Sequence, residues 1–470
     1  MRKGRILLKT LKKSIAIILS ILCLLGAVSF AAAAADGEAG FTPVLRFIAS
    51  SDTHVTGEGD VRTQRIAKML DKAYATAARD PTYNKLDAVL VVGDLTEDGY
   101  PEQFDAFQAA FDSGLQDGTQ LLAVVAKNHD GYNQSRKAIR ATCEAITGNG
   151  ADFHVVVNGY HFIGVSASGD KLEHYDLGQL SWLNKQIAAA VKEDPNKPVF
   201  VMHHEPTIET TYGSRLYDGW GVPYFRAIQS RYPQVVEIAG HSHYPLNDPR
   251  SVWQGAFTSI NTGAIKYAEF TVDLQRTYHP GDAYDTANCW LIEADAQGNL
   301  RLRGLDINEG KFLCDYYMKN PADKQNRDFA PAKRKAEAKA PAFSDGAALT
   351  VETAEGSCIV KAPAAQSMDG MPVILYRVTA KDACGVPVAK SWTLPPYYRA
   401  VDKDEITLEL KTLAEGTYTL SVVAENAYEQ QSEQLETTVT VAGKTGVAYL
   451  LDVIRQWFAD LKEYFTHLFW

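Results

Sequence analysis

The sequence predicts an α/β domain followed by an all-β domain, and two patterns favour this order. Between about residues 43 and 240, short apolar runs rich in β-branched residues alternate with longer amphipathic stretches, as in strands joined by crossover helices. Between residues 342 and 443, short runs of alternating polarity recur between turn signals, as in a β-sandwich. The 470 residues, 46% of them hydrophobic and 22% charged, exclude a disordered or fibrous chain and suffice for both domains.

The N-terminal segment, residues 1–35, has the pattern of a signal peptide. Six positive charges precede an apolar run over residues 15–30, and alanines follow, so cleavage is expected near Ala33 or Ala35. An uncleaved N-terminal membrane anchor is the alternative, because the run is nearly long enough to span a bilayer. Both interpretations predict a secreted or cell-surface protein, and the simplicity of the signal favours a bacterial one.

Strands and helices of the α/β region follow from the period of the apolar residues. Strands are predicted over 44–50, 87–92, 121–126, 153–157, 161–166, 199–202 and 235–239. Helices are predicted between them over 62–78, 102–111, 134–147, 177–192 and 223–231. After residue 245, β-type runs over 257–261, 268–272, 289–294 and 300–306 predict a second sheet that completes this domain, which we place at residues 40–319.

The C-terminal third contains three predicted units. Residues 320–341, rich in Lys, Ala, Asp and Pro, are interpreted as a linker. Residues 342–443 are the predicted β-sandwich, in which Tyr418, Leu420 and Val422 alternate onto one face of a strand. Residues 447–470 place apolar side chains at i, i+3 and i+4 and predict an amphipathic helix. Its mixed-charge polar face favours contact with a protein or cell surface over attraction to anionic lipid.

Charge and cysteine content restrict the partners. Removal of the six N-terminal positive charges lowers the net charge from −10 to −16. So acidic a surface repels nucleic-acid phosphates, and we expect no nucleic-acid binding surface. The cysteines after residue 35 lack zinc-site spacing. The pairs Cys289/Cys314 and Cys358/Cys384 are spaced to allow one disulfide each, with buried free thiols as the alternative.

Residues typical of metal and phosphate chemistry follow five of the predicted strands. The blocks are Ser51-Asp52-Thr53-His54, Gly93-Asp94-Leu95-Thr96-Glu97-Asp98-Gly99, Lys127-Asn128-His129-Asp130, Met202-His203-His204-Glu205-Pro206 and Gly240-His241-Ser242-His243. Each block alone is explained by a turn former or a structural histidine. Together they place hard and borderline metal ligands at the carboxyl ends of strands in one sheet, where open α/β sheets bind ligands.

The order D-x-H, G-D, N-H-D, H and G-H-x-H resembles the calcineurin-like metallophosphoesterases. The resemblance runs from about residue 47 to residue 243 and implies a four-layer αββα sandwich with two metal ions at the strand ends. It implies that one ion is held by Asp52, His54 and His243, the other by Asn128, His203 and His241, and that Asp94 bridges both. His129 would then protonate the leaving alcohol or hydrogen-bond the phosphate. Manganese, iron or zinc suits such a ligand set, and two ions activate water for attack on phosphorus.

Residues within and near the blocks refine this resemblance. In the fourth block, the H-H-x-P order selects His203 as the ligand and leaves His204 to face the substrate or to pack. Lys127 stands where the family usually has glycine, and it either is solvated or reaches the substrate phosphate. Glu97 stands where purple acid phosphatases have a metal-binding tyrosine, which disfavours an iron site of that type. Aromatic residues near the blocks either line a substrate pocket or pack in the core: Tyr132, Tyr212, Tyr217, Trp220 and Tyr244.

The sequence therefore predicts an exported, metal-dependent phosphoesterase that hydrolyses phosphomonoesters or phosphodiesters, with His129 and Asp94 as catalytic residues. The β-sandwich is similar to immunoglobulin-like or fibronectin type III modules. The alternative is a surface binding or adhesion protein with an inactive phosphoesterase scaffold, against which the complete set of ligand blocks argues. A third interpretation keeps the enzyme and changes the substrate to phospholipid or cell-envelope phosphodiesters.

Overall fold

The computed structural model describes residues 40–168, 175–273, 275–401, 403–443 and 446–468. The predicted signal peptide or anchor, residues 1–35, lies outside these ranges. The strands of the first domain are β1 (Pro43–Ser50), β2 (Ala88–Val92), β3 (Gln120–Val124), β4 (Asp152–Val157), β5 (Tyr160–Val165), β6 (Val199–Met202), β7 (Val235–Ala239), β8 (Val252–Gln254), β9 (Thr258–Asn261), β10 (Phe270–Val272), β11 (Gln275–Tyr278), β12 (Asn288–Asp295), β13 (Leu300–Asp306) and β14 (Lys311–Met318). Its helices are α1 (Val61–Ala77), α2 (Pro101–Asp112), α3 (Arg136–Thr147), α4 (Leu177–Glu193) and α5 (Arg226–Gln229).

Two six-stranded sheets form the centre of this domain. The first has the order β14-β13-β12-β1-β2-β3, in which β1, β2 and β3 are parallel and the other pairings are antiparallel. The second has the order β4-β5-β6-β7-β9-β8, in which β5, β6, β7 and β9 are parallel. Strands β10 and β11 form a separate antiparallel pair.

The packing of these sheets produces four layers. The inner faces bury a common core in which Phe47 contacts Phe162 and Phe200 with ring centroids 5.3 and 4.9 Å apart. The helices α1, α2 and α3 cover the outer face of the first sheet, and α4 covers that of the second through Leu183 and Ile187. The α/β class and the four-layer αββα arrangement are thus confirmed.

Local sequence explains where the long helices begin and end. The Asp60 carboxylate accepts hydrogen bonds from the first turn of α1, and Asp176 forms a capping box with Gln179 at the start of α4. Gly148 ends α3 with a left-handed φ of 69°.

Two predictions about this domain are wrong in detail. Most strands after residue 245 do not form a second sheet, because β12, β13 and β14 extend the first six-stranded sheet and β8 and β9 extend the other, while only β10 and β11 pair separately. The helix predicted over 223–231 is reduced to the four residues of α5. Residues 223–225 form a bend and a turn instead, directly after Val222, which pairs with Thr207.

The segment interpreted as a linker, residues 320–341, packs against the first domain. It contains α6 (Pro331–Glu337), and Phe329 is buried in the core between the two sheets. Arg327 Nε donates a 2.8 Å hydrogen bond to Gly255 O, and Phe329 N donates one of 2.9 Å to Gln254 Oε1. The segment is therefore anchored along β8.

The all-β domain consists of two antiparallel sheets. Its strands are β15 (Thr350–Ala354), β16 (Ser357–Pro363), β17 (Val373–Lys381), β18 (Pro387–Thr393), β19 (Glu405–Leu410), β20 (Gly416–Asn426) and β21 (Leu435–Val441). Sheets β15-β16-β19 and β18-β17-β20-β21 enclose one core that includes Tyr418, Leu420 and Val422, as their alternation predicts. The all-β class is confirmed, and a relation to immunoglobulin-like or fibronectin type III modules stays a prediction.

The chain continues into α7 (Gly446–Leu468), which spans most of the predicted C-terminal helix. Six apolar side chains of α7 are 41–74% exposed: Val447, Leu450, Leu451, Ile454, Trp457 and Phe458. Across the described ranges, no helix combines the length and the hydropathy that a membrane span needs. The five cysteines after residue 35 are free thiols, so neither disulfide is formed.

Candidate metal centre

The five blocks of polar residues converge at one edge of the first domain, although they come from both sheets. The first three follow β1, β2 and β3, and the last two follow β6 and β7. Their candidate ligands lie within a few ångströms of one another because the carboxyl ends of these parallel strands face the same edge. The prediction that the blocks share one sheet is therefore wrong, since the site lies where two sheets meet.

Asp94 lies at the centre of this cluster. Its Oδ2 is 3.2 Å from His204 Nε2 and 3.7 Å from His54 Nε2. The same oxygen accepts a 2.9 Å hydrogen bond from Asn128 Nδ2. One buried carboxylate thus contacts side chains from three other loops, which is the position that a bridging ligand needs.

Asp52 and His243 form the adjoining part of the cluster. His243 Nε2 lies 3.0 Å from Asp52 Oδ1, and His54 Nε2 lies 3.8 Å from the same oxygen. Among the described residues, three groups each offer three ligand atoms within 4.8 Å of one another, and two of these groups share no residue: Asp52, His54 and His243 form one, and Asp94, His204 and His241 the other. The chain thus places two sets of ligands side by side.

The backbone of five of the candidate ligands adopts a rare conformation. The angle φ is 52° at Asp52, 47° at His54, 48° at Asp94, 68° at His241 and 55° at His243. Residues other than glycine seldom adopt such left-handed conformations, and proteins tolerate their cost chiefly at functional sites. Gly93, with φ 88°, precedes Asp94, and a side chain there would overlap the ring of His204.

Buried polar atoms without a hydrogen bond concentrate in this cluster. They include Asp52 Oδ1, both ring nitrogens of His54, Asp94 Oδ1, Asn128 Oδ1, His204 Nε2 and His243 Nδ1. Such atoms are costly to bury unless another partner binds them. Carboxylate oxygens, imidazole nitrogens and an amide oxygen are the donors that manganese, iron and zinc accept. The residues therefore fit a pair of metal ions.

Burial and nearby positive charge favour a neutral imidazole at His54 and at His241, whereas at His204 the carboxylates of Asp94 and Asp52 outweigh burial and raise the pKa well above its usual value. Burial, together with the charges of Lys266 and His243, lowers the pKa of His54 well below its usual value. Burial and the neighbouring His204 lower the pKa of His241 to about 4. His54 and His241 are thus neutral near pH 7, which is the form of histidine that binds a metal.

In the fourth block, His204 and not His203 reaches the cluster. His203 lies on the other side of the strand end, where its Nδ1 pairs with Glu205 O at 2.8 Å and its Nε2 lies 2.9 Å from Glu237 Oε1. Its ring stacks on Phe225 with centroids 4.0 Å apart. The choice of His203 as a ligand is therefore corrected to His204. Successive residues of an extended chain face opposite sides, and the H-H-x-P order does not tell which side is the site.

His129 lies at the more open side of the cluster, where its side chain is 24% exposed. Its ring centroid is 4.3 Å from that of His54, and its ligand atom falls within 4.8 Å of those of His54 and Asp94. Its Nδ1 is 2.7 Å from Glu97 O. A proton on Nδ1 donates to this carbonyl, which leaves Nε2 to exchange a proton with a substrate.

Asp130 fixes the third block through hydrogen bonds to the backbone. It accepts hydrogen bonds of 2.9 Å from the backbone N–H groups of Thr96 and Ala126. Burial and the charge of Asp94 raise the pKa of Asp130 to about 7. The carboxyl group thus connects the second and third blocks without being part of the ligand cluster.

Lys127 and two of the predicted aromatic residues, Tyr132 and Trp220, lie close to the cluster in sequence or in space. Lys127 is half-buried and is not among the described residues with positive φ, so this turn does not need the glycine usual in the family. Its contact with substrate stays a prediction. Tyr132 lies 4.8 Å from His129 and Trp220 lies 5.1 Å from His241, between ring centroids.

The other three predicted aromatic residues are Tyr212, Tyr244 and Tyr217. Tyr212 and Tyr244 are buried with ring centroids 4.1 Å apart, so they pack. Tyr217 is 39% exposed.

Two residues beside the cluster were missed from the sequence. The ring of Tyr267 lies 4.3 Å from that of His243, and Lys266 Nζ lies 2.8 Å from Glu97 Oε1. Neither residue belongs to a motif. The only feature that points to them is their position in the loop after β9, which is the next parallel strand beyond β7 in the sheet.

Comparison with known proteins agrees with this geometry. The family model for calcineurin-like phosphoesterases matches residues 45–245, which contain all five blocks. This part of the chain belongs to the calcineurin-like phosphoesterase family. Family membership explains why the ligand types recur in this order at the ends of five strands.

The individual proteins that this chain resembles are distant. A probable cyclic nucleotide phosphodiesterase of Rhodococcus erythropolis is 25% identical over 215 residues, which are 41% of this chain and 63% of the relative. A purple acid phosphatase from seeds of yellow lupin (Lupinus luteus) superposes with a TM-score of 0.41 and 14% identity, over 59% of this chain and 54% of the phosphatase. A β-glucuronidase from Ruminococcus gnavus matches 22% of this chain and 16% of its own, with a TM-score of 0.15 and 12% identity.

Proposed function

We propose that this chain is an exported phosphoesterase that hydrolyses phosphomonoesters or phosphodiesters with two metal ions. The observation that carries the proposal is the set of buried, unsatisfied ligand atoms around Asp94, in a domain of the calcineurin-like phosphoesterase family. Two ions held there would lower the pKa of a bound water molecule and neutralise the charge of the phosphoryl oxygens. Manganese, iron and zinc all suit the donors present.

The residues of the chain have separate tasks in this proposal. Asp52, His54 and His243 would hold one ion, Asn128, His204 and His241 the other, and Asp94 both. The open position of His129, with Nδ1 paired to a carbonyl, lets Nε2 carry a proton to the leaving alcohol.

The substrate class is also a proposal. The relative from Rhodococcus erythropolis is named a probable cyclic nucleotide phosphodiesterase, so a cyclic nucleotide is the first diester to test. The aromatic rings of Tyr132 and Trp220 beside His129 and His241 are compatible with a planar alcohol group. Phospholipid or cell-envelope diesters are the substrates to compare with it.

The test is hydrolysis of p-nitrophenyl phosphate and bis-p-nitrophenyl phosphate by residues 36–470. The protein is stripped with a chelator and then supplied with manganese, zinc or iron, beside an Asp94→Asn variant. We expect metal-dependent turnover that falls by more than about 100-fold in the variant, because Asp94 would serve both ions. Absence of turnover with every metal and every diester would favour the alternative, a surface binding protein with an inactive scaffold.

Export and surface contact complete the proposal. The basic and apolar pattern of residues 1–35 supports export, and fractionation of expressing cells would test it. The exposed apolar side chains of α7 support contact with a protein or cell surface. Comparison of the full chain with one ending at residue 443, for binding to the surface of expressing cells, would test that contact.

A further inference from the structure

Glu97 lies beside two residues of the candidate metal centre without belonging to its ligand set. It follows β2, and its backbone N–H donates a 3.1 Å hydrogen bond to Val55 O. This contact continues the parallel pairing of the first two strands, because Val55 also forms a bridge with Thr96. The backbone of Glu97 is therefore fixed next to His54 by main-chain hydrogen bonds.

The ring of His54 lacks hydrogen-bond partners on both sides. Its Nε2 faces the carboxylates of Asp52 and Asp94 at 3.8 and 3.7 Å, and both of its ring nitrogens are buried without a hydrogen bond. If Nε2 offers its lone pair to a metal ion, the proton must reside on Nδ1, where it needs an acceptor. The nearest carboxylate oxygen on that side is Glu97 Oε2, at 3.6 Å, and this oxygen is itself buried without a hydrogen bond.

The same residue also orients His129. The carbonyl oxygen of Glu97 is 2.7 Å from Nδ1 of His129, so the proton of that ring also points towards Glu97. The main chain and the side chain of one residue thus face Nδ1 of both histidines. In each ring the nitrogen left over, Nε2, is the one that the proposed chemistry uses.

Two cations hold the Glu97 carboxylate in this position. Lys266 Nζ is 2.8 Å from Oε1, and a guanidinium nitrogen of Arg62 is 3.6 Å from Oε2. They come from the loop after β9 and from the first turn of α1. The carboxylate is thus connected to elements on two sides of the cluster.

We propose that Glu97 is a positioning residue, which accepts the Nδ1 proton of His54 through its carboxylate and that of His129 through its carbonyl. The inference rests on the proposed metal centre and adds to it the residue that fixes the tautomer and ring orientation of one ligand. Partners of this kind raise the metal affinity of a histidine ligand by roughly 10–100-fold.

The test is a titration of the chelator-stripped protein with Co²⁺, followed by visible absorbance. Glu97→Ala is compared with wild type, with Glu97→Gln and with Asp98→Ala. Asp98 is the matched control, because it is the next residue, is also a half-buried carboxylate, and is hydrogen-bonded to Gln103 rather than to the cluster. Glu97→Gln keeps an acceptor oxygen and tests for rescue.

We expect wild type and Asp98→Ala to bind two equivalents alike. Glu97→Ala should bind one of the two equivalents roughly 10–100-fold more weakly, and Glu97→Gln should recover a large part of the loss. Equal affinities of Glu97→Ala and Asp98→Ala would overturn this inference and leave the metal centre intact. A wild-type protein that binds no Co²⁺ would overturn the metal centre itself, and this inference with it.

Discussion

At the scale of single residues, the two histidines of the fourth block have opposite surroundings. His204 Nε2 is buried without a hydrogen bond beside Asp94, whereas His203 is paired with the buried carboxylate of Glu237. Burial would raise the pKa of Glu237, but His203 keeps it below its usual value. We therefore expect His204 to act in the metal centre and His203 to stabilise the fold.

This difference predicts opposite effects of two alanine substitutions. His204→Ala should lower hydrolysis by more than about 100-fold and weaken metal binding, with a smaller loss in the free energy of unfolding than His203→Ala. His203→Ala should lower the free energy of unfolding by about 3 kcal/mol, because it leaves Glu237 buried without its partner. Metal content and urea unfolding of both variants check this, and the reverse result would restore His203 as the ligand.

The open position of His129 predicts a dependence on the leaving group. His129→Gln should lower kcat by roughly 10²–10⁴ for esters of alkyl alcohols, which need a proton on departure. The loss should be much smaller for p-nitrophenyl esters, whose phenolate leaves unprotonated. Steady-state rates for a pair of such esters check the prediction, and equal losses would exclude His129 as the acid.

The sequence predicts the residue types of the site better than it predicts their orientation. The family resemblance of the five blocks implies Asp52, His54, Asp94, Asn128, His241 and His243 as ligands, all of which the structure brings together. Spacing cannot select His204 over His203, because the direction of a side chain depends on how β6 ends. It also cannot find Lys266, whose contact with Glu97 joins residues 169 positions apart.

At the scale of elements, the start of α1 beside the first block depends on Asp60. Its carboxylate accepts hydrogen bonds from Arg62 N, Thr63 N and Thr56 N at 2.7–2.8 Å. Burial opposes ionisation, but these bonds outweigh it and lower the pKa of Asp60. The ionised carboxylate therefore stabilises the fold above the unfolded-state pKa of Asp60, and this contribution is lost as the pH falls through the folded-state pKa.

Asp60→Ala should accordingly lower the free energy of unfolding by about 1 kcal/mol at pH 7. The difference from wild type should shrink as the pH falls below about 4, where the carboxyl group protonates first in the unfolded chain and then, at lower pH, in the cap. Asp60→Asn keeps a capping oxygen without the titration and should cost only a few tenths of that. Unfolding curves at several pH values check this, and an Asp60→Ala difference that stays constant down to pH 2 would contradict it.

Local patterns predict most elements, but not which strands pair. The strands β6, β7 and β13 have the predicted bounds, because apolar runs or alternating apolar residues mark them in the sequence. The pairing of β12 with β1 joins residues more than 240 positions apart, which no local period encodes. For the same reason the sequence assigns the five blocks to one sheet, whereas they come from two.

At the scale of the whole molecule, the two domains make contact beside the β10–β11 pair. Phe270 is 1% exposed, and its ring centroid lies 4.7 Å from that of Tyr398 in the β-sandwich domain. At the edge of the same contact, a bidentate ion pair with Arg377 lowers the pKa of Asp273. The buried rings should therefore contribute more to the free energy of unfolding than the half-exposed ion pair.

Phe270→Ala should lower the free energy of unfolding by about 3–5 kcal/mol, because it leaves a cavity between the domains. Asp273→Asn should cost less than about 1 kcal/mol, since the pair is half exposed and asparagine tolerates the positive φ of this position. Denaturant unfolding of both variants checks the contrast. Equal costs would contradict this, because the ion pair would then contribute as much as the buried rings.

The central claim is that loops from two sheets hold two metal ions around Asp94. The most direct measurement is a crystal structure of the manganese-loaded protein with anomalous scattering recorded. The account predicts two anomalous peaks that share Asp94 as a ligand, one against Asp52, His54 and His243 and the other against Asn128, His204 and His241. A single peak, no peak, or a peak at His203 would contradict it.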